Sequence, residues 1–73
     1  MAWFELTGTD PYQASNYTLR QTQPFCTGTD QVCAIQALND GSNNPVISPT
    51  LEQEIELALA NNTPSTNVKL KDV

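Results

Sequence analysis

The sequence predicts an α+β domain: a small antiparallel sheet of about four short strands packed on one amphipathic helix, with one local disulfide. Three observations carry this expectation. Short aromatic-rich or alternating stretches are separated by clusters of Gly, Pro, Asn and Asp, the punctuation of a sheet. One segment alone, near residues 49–61, repeats its apolar residues at helical spacing behind a capping signal. The chain has 73 residues and two cysteines, and a domain this small buries only about 60% of its unfolded surface. One helix on one sheet is then the simplest way to bury every apolar face.

The first strand is expected near residues 2–6, Ala2-Trp3-Phe4-Glu5-Leu6, closed by Thr7-Gly8-Thr9-Asp10-Pro11. Near 17–21 the chain alternates, with Tyr17 and Leu19 on one face and Thr18 and Arg20 on the other, until Pro24 stops the run. Residues 32–38, Val32-Cys33-Ala34-Ile35-Gln36-Ala37-Leu38, fit either a strand or a short helix; their length and position just after a turn favour the strand. Asn39-Asp40-Gly41-Ser42-Asn43-Asn44-Pro45 is a loop, with Asp40-Gly41 as its turn dipeptide. Its oxygen-rich side chains raise calcium as an alternative to a plain connection. However, the terminal bidentate Glu and regular Asp spacing of an EF-hand are missing.

The helix is the clearest element. Ser48 supplies an N-cap and Pro49 a first-turn residue whose missing N–H costs nothing there. Leu51, Ile55, Ala58 and Leu59 form one apolar stripe. Glu52, Glu54 and Glu56 lie in the half favoured by the helix dipole and are expected to face solvent in different directions. Asn61-Asn62, with Pro64 beyond, ends the helix, and Leu57 points away from the stripe. A last strand is expected near 67–72, with Val68, Leu70 and Asp72 against Lys69, Lys71 and Val73; its lysines mark an edge. The motif Thr-Gly-Thr-Asp occurs at 7–10 and again at 27–30 and reads as two similar turns, two copies being too few for a solenoid.

Cys26 and Cys33 are too far apart for a Cys-x-x-Cys redox pair, and without His they leave half of a zinc shell unfilled. A local disulfide is the reading that fits, with Gly28 and Asp30 supplying the turn between them. The alternative is a pair of buried thiols in a reducing compartment. A disulfide implies an oxidising compartment. The first residues lack the basic and apolar regions of a signal peptide, so the expectation is a mature exported segment with Met1 as an added start.

Composition removes several functions. Thr, Asn, Gln and Ser make up 26 residues while charged residues are only 15%, against about 25% in an average domain. With three basic and eight acidic side chains, net −5, the chain lacks the cationic footprint that nucleic acid demands. No apolar run approaches the roughly 20 residues of a membrane span. The absence of His takes away the commonest general base and metal ligand. The chain is therefore read as a non-enzyme, with no catalytic residue, cofactor, metal or small-molecule substrate expected.

The five aromatic residues all lie in the first third of the chain, and the default expectation for a small domain places such rings in the core; partner contact is the rival reading. Trp3 and Phe4 point to opposite faces of one short strand, which a single small domain cannot cover on both sides. Trp3, Phe4, Tyr17 and Leu57 are accordingly the candidate partner-binding residues. Self-association through the N-terminal strand, by adding it to a neighbour's sheet edge, is one expected route.

The aromatic segment Trp3-Phe4-Glu5-Leu6, the Cys26-to-Cys33-Ala34 element and the short helix-like stretch behind it resemble a pattern in small exported proteins of Bacteroidota of unknown function. The resemblance implies an exported or envelope-associated protein with a single disulfide and no catalytic residues. The resulting expectation is a non-enzymatic extracytoplasmic domain that works by protein–protein contact or as a structural component. Two alternatives stand beside it: a subunit of an extracellular filament or matrix joined through the N-terminal strand, and a small secreted inhibitor or effector presenting the Cys26–Cys33 loop.

Overall fold

A computed structural model describes residues 1–72 and shows one helix on a four-stranded antiparallel sheet, an α+β architecture. The strands are β1 (Ala2–Leu6), β2 (Tyr17–Arg20), β3 (Gln31–Ala37) and β4 (Val68–Lys71), with helix α1 (Pro49–Asn61) between β3 and β4. A single 3-10 turn, Ala14–Asn16, leads into β2. The segment 32–38 is thus a strand, starting one residue early. Strands β2 and β4 are slightly shorter than the expected 17–21 and 67–72. Val73, placed by alternation on the lysine face of β4, lies outside the described residues.

The spatial order is β2-β1-β3-β4. Alternation puts Ala2, Phe4 and Leu6 on one face of β1, and the register sets Phe4 between Leu19 and Ile35, with Ile35 facing Val68. Those side chains meet Leu51, Ile55 and Ala58 of α1 in a single apolar core, packed at its margin by Leu19 and Leu59. The helix is held at both ends. Ser48 Oγ accepts the Leu51 N–H at 3.2 Å, and Asn62 adopts a left-handed conformation while its N–H donates to the carbonyls of Ala58 and Leu59.

Strand β1 is an inner strand, paired on both sides. This corrects the expectation that the N-terminal strand is free to join a neighbour's sheet. Both its hydrogen-bonding edges are occupied, and adding it elsewhere would tear out the centre of the sheet.

Because β2 and β3 both run antiparallel to β1, they are parallel to each other. Residues 21–30 must therefore carry the chain from the Trp3 end of β1 to its Leu6 end, a connection that commonly needs a helix. Here it is pinned instead. The Cys26–Cys33 disulfide ties it to β3, Thr27 accepts the Asp72 N–H at 2.8 Å, and Asp30 donates its N–H to Lys71 at 2.9 Å.

The register of β3 slips between Val32 and Ala34, a β-bulge. Val32 faces the helix-side core with Leu70, whereas Ala34 pairs with Glu5 and Lys69 on the opposite face. Cys33 and Ala34 are buried outside the main core, so β3 has cover on both sides near the disulfide. The two Thr-Gly-Thr-Asp turns differ in conformation: Gly28 has φ +113° and Gly8 does not share a positive φ.

Candidate contact surface

Phe4 and Tyr17 were both candidates for partner contact, and the structure places both in the core. Phe4 has no exposed surface, since it sits at the centre of the register beneath α1. Tyr17 is buried with its hydroxyl donating to the Pro11 carbonyl at 2.6 Å. Burial pushes the Tyr17 hydroxyl well above its ordinary pKa, helped by Asp10 and Tyr12, which keeps the donor protonated. Neither ring is available to a partner.

Trp3 is half-buried on the other face of β1, between Arg20 and Gln36 in the register. Next to it, Glu5 and Arg20 form an ion pair at 2.8 Å across the β1–β2 pair. Leu57 is 54% exposed and borders a shallow depression with Asn61, Thr63 and Pro64. Cys26 and Cys33 form the expected disulfide, with 6.0 Å between their Cα atoms.

The most exposed ring is one the sequence did not single out. Phe25 is 91% exposed, on the pinned connection between Pro24 and Cys26. Its carbonyl oxygen lies 3.9 Å from Cys33 Sγ, which places it beside the start of β3. The available signal was that Phe25 belongs to no alternating or helical run: its neighbours Thr22, Gln23 and Thr27 are polar.

A second apolar feature lies at the far end of β3. Leu38 (61% exposed) and Val46 (43% exposed) are joined by a Val46 N–H to Leu38 carbonyl bond of 2.8 Å. They form the rim of a cavity of about 200 Å³ floored by the buried Ala37 and Leu51. The loop between them closes on itself. Asn39 Oδ1 accepts the N–H groups of Gly41 and Asn43, and Asp40 Oδ1 accepts those of Ser42 and Asn44. Asp40 Oδ1, one of the oxygens offered for calcium, is thus an acceptor within the turn.

Glu54 departs from its expected solvated role. It accepts hydrogen bonds from the Ser65 hydroxyl and from the backbone and side-chain nitrogens of Asn67, clamping the approach to β4 onto the helix. Partial burial works to raise its pKa, but those bonds and the Lys69 charge outweigh it and hold the carboxyl below its ordinary value. Glu52 and Glu56 remain exposed.

No described helix is long and apolar enough to cross a membrane. Comparison with protein-family models, curated proteins and solved structures finds no match in any of the three.

Proposed function

We propose that this is a non-enzymatic, extracytoplasmic domain that acts through protein–protein contact. The carrying observation is Phe25, a nearly fully exposed aromatic ring on a connection that a disulfide fixes to the sheet. Exposed aromatics on preorganised loops are favoured interface anchors, because little conformational freedom is lost when they are gripped. The low proportion of charge supports the same reading, since charged groups resist the desolvation that contact requires. The export component rests on the disulfide and on the resemblance to small exported proteins of Bacteroidota.

The secreted inhibitor or effector reading shares this feature, because Phe25 directly precedes the Cys26–Cys33 loop. The filament reading loses its strand-addition route through β1 and keeps only contact through side chains.

The test compares wild-type protein with Phe25→Ser, each expressed in intact cells of the producing organism with a photo-crosslinking residue in place of Gln23. A discrete crosslinked product that disappears in Phe25→Ser supports contact through this ring. Crosslinks absent in both, or identical in both, defeat it. Labelling intact Leu57→Cys cells with a membrane-impermeant thiol reagent tests export: the exposed thiol at position 57 must react without lysis, and labelling that appears only after lysis defeats the export reading.

A further inference from the structure

We infer that the pinned connection is a substrate-like inhibitor loop for a serine endopeptidase of aromatic specificity, which is offered the Phe25–Cys26 peptide bond. This deepens the contact reading above and rests on it, naming the partner by its chemistry. A strand-reading partner takes an extended segment through main-chain hydrogen bonds and pockets for alternate side chains. In serine endopeptidases the pocket for the residue before the reactive bond sets specificity, and an apolar slot there accepts a ring.

The first supporting observation is an extended segment with alternate residues turned outward. Gln23, Phe25, Thr27 and Thr29 are exposed, whereas Pro24, Cys26 and Gly28 are half-buried, the period of two of an extended chain. Phe25 is 91% exposed as a whole residue, which leaves its backbone as well as its ring accessible.

The second observation is an unpaired backbone. Among the described residues, no backbone–backbone hydrogen bond uses residues 22–26. Pro24, which has no N–H, lies between the two outward residues, 23 and 25, whose main chain an extended partner would pair. Its ring fixes its own φ and keeps Gln23 extended. Thr22, Gln23 and Thr27 are neutral, so no charge has to be desolvated beside the ring.

The third observation is that the chain is anchored on both sides of the bond. Upstream it leaves β2 at Arg20. Downstream Cys26 is bonded to Cys33 of β3, and Thr27 accepts the Asp72 N–H. Attack of the enzyme's serine Oγ on the Phe25 carbonyl carbon breaks the Phe25–Cys26 C–N bond, and the serine proton passes through the enzyme's histidine to the Cys26 nitrogen. The amine of an ordinary substrate diffuses away, and water then releases the acyl group. Here the disulfide on the same residue keeps the amine beside the acyl-enzyme. Its return attack reforms the peptide bond and frees the serine, so the loop stays bound and is turned over slowly. The same restraint lowers the ordering cost of binding.

The test assays chymotrypsin, subtilisin and trypsin on chromogenic peptide substrates in the presence of wild type, Phe25→Ala or Phe25→Lys. Position 25 is exposed, which leaves the core untouched, and thermal melts confirm that each variant is folded. Wild type is expected to inhibit chymotrypsin or subtilisin at micromolar concentration or below, and to leave trypsin, whose pocket holds a carboxylate, unaffected. Phe25→Ala should weaken that inhibition at least about 100-fold. Phe25→Lys should weaken it as much and acquire inhibition of trypsin.

A wild type that inhibits neither chymotrypsin nor subtilisin at about 100 µM overturns the inference, as does inhibition that Phe25→Ala leaves unchanged. So does cleavage between residues 25 and 26 as fast as in a synthetic peptide of residues 20–30. If inhibition fails while the crosslink at position 23 still depends on Phe25, the inhibitor function falls and the broader contact function stands. If neither readout responds to Phe25, both fail.

Discussion

Replacing Gly28 with Ala tests how the crossover is fastened to the sheet. Gly28 has φ +113°, a conformation that costs an L-residue about 1–2 kcal/mol. An added Cβ would also lie 2.1 Å from the Asp72 backbone nitrogen and 2.3 Å from its carboxylate, well inside van der Waals contact. The nitrogen is backbone and cannot rotate away. The end of β4 has to move, and the 2.8 Å bond from the Asp72 N–H to the Thr27 carbonyl goes with it, at about 1 kcal/mol. The sum is about 2–3 kcal/mol. Domains of this size have a total stability of roughly 0.05–0.15 kcal/mol per residue, so the effect is large, equivalent to a fall in Tm of roughly 10–20 °C.

Gly41→Ala supplies the control. Gly41 has φ +96° but nothing lies within 4 Å of its would-be Cβ, so only the conformational part, about 1 kcal/mol, is expected. Urea titrations at pH 7 followed by near-UV circular dichroism give both differences on one scale. If Gly28→Ala costs no more than Gly41→Ala, the contact between the crossover and β4 carries no weight and the reasoning is refuted.

Glu54→Gln is expected to cost about 1 kcal/mol at pH 7, because the amide keeps one acceptor where the carboxylate serves three donors. The folded pKa of Glu54 is depressed, so its contribution is present above the unfolded pKa near 4.5 and is lost as pH falls through the lower folded value. Melts of the two proteins should converge below about pH 4; a gap that widens there contradicts the assignment. Removing the disulfide with Cys26→Ser and Cys33→Ala should cost roughly 2.5 kcal/mol, the loop-closure value for about eight residues. An unchanged urea midpoint would show that the other crossover contacts hold it unaided. Tyr17→Phe should cost about 1–2 kcal/mol by stripping the Pro11 carbonyl of its donor, and a neutral result would mean that carbonyl finds water.

Local chemistry made most of the architecture legible. Ser48-Pro49 and the Leu51, Ile55, Ala58 stripe specify α1 through neighbours within one or two turns, and the structure uses each of them. The alternation of Val68 and Leu70 against Lys69 and Lys71 holds in the same way, with β4 at the sheet edge. What stayed hidden depends on contacts far apart in sequence. A terminal strand looks like an edge, yet β1 becomes an inner strand only because β3 pairs with it from about thirty residues away. The ambiguity of residues 32–38 has a physical origin in the bulge: Val32 and Ala34, two residues apart, lie on opposite faces, which breaks the period of two that identifies a strand. The contact surface was the least legible part. Trp3 and Leu57 are accessible to different degrees, Phe4 and Tyr17 are not, and the most exposed ring, Phe25, belongs to no pattern at all.

The position of the disulfide connects these features. A bridge whose main task was to hold the core together would be expected to join elements across it, but Cys33 lies outside the main apolar cluster and Cys26 is on the crossover. The bridge fixes the segment that carries Phe25, together with the backbone bonds at Thr27 and Asp30. Without it, residues 21–30 would be a ten-residue strap free over most of its length, and an apolar ring on such a strap loses much of its binding energy to ordering. In a domain too small to cover all its apolar side chains, the same covalent bond then serves two ends. It removes entropy from the unfolded chain, and it restrains the backbone next to one uncovered ring. If the proposed contact through Phe25 holds, Cys26→Ser with Cys33→Ala should weaken the Phe25-dependent crosslink even at temperatures where the sheet and helix remain intact.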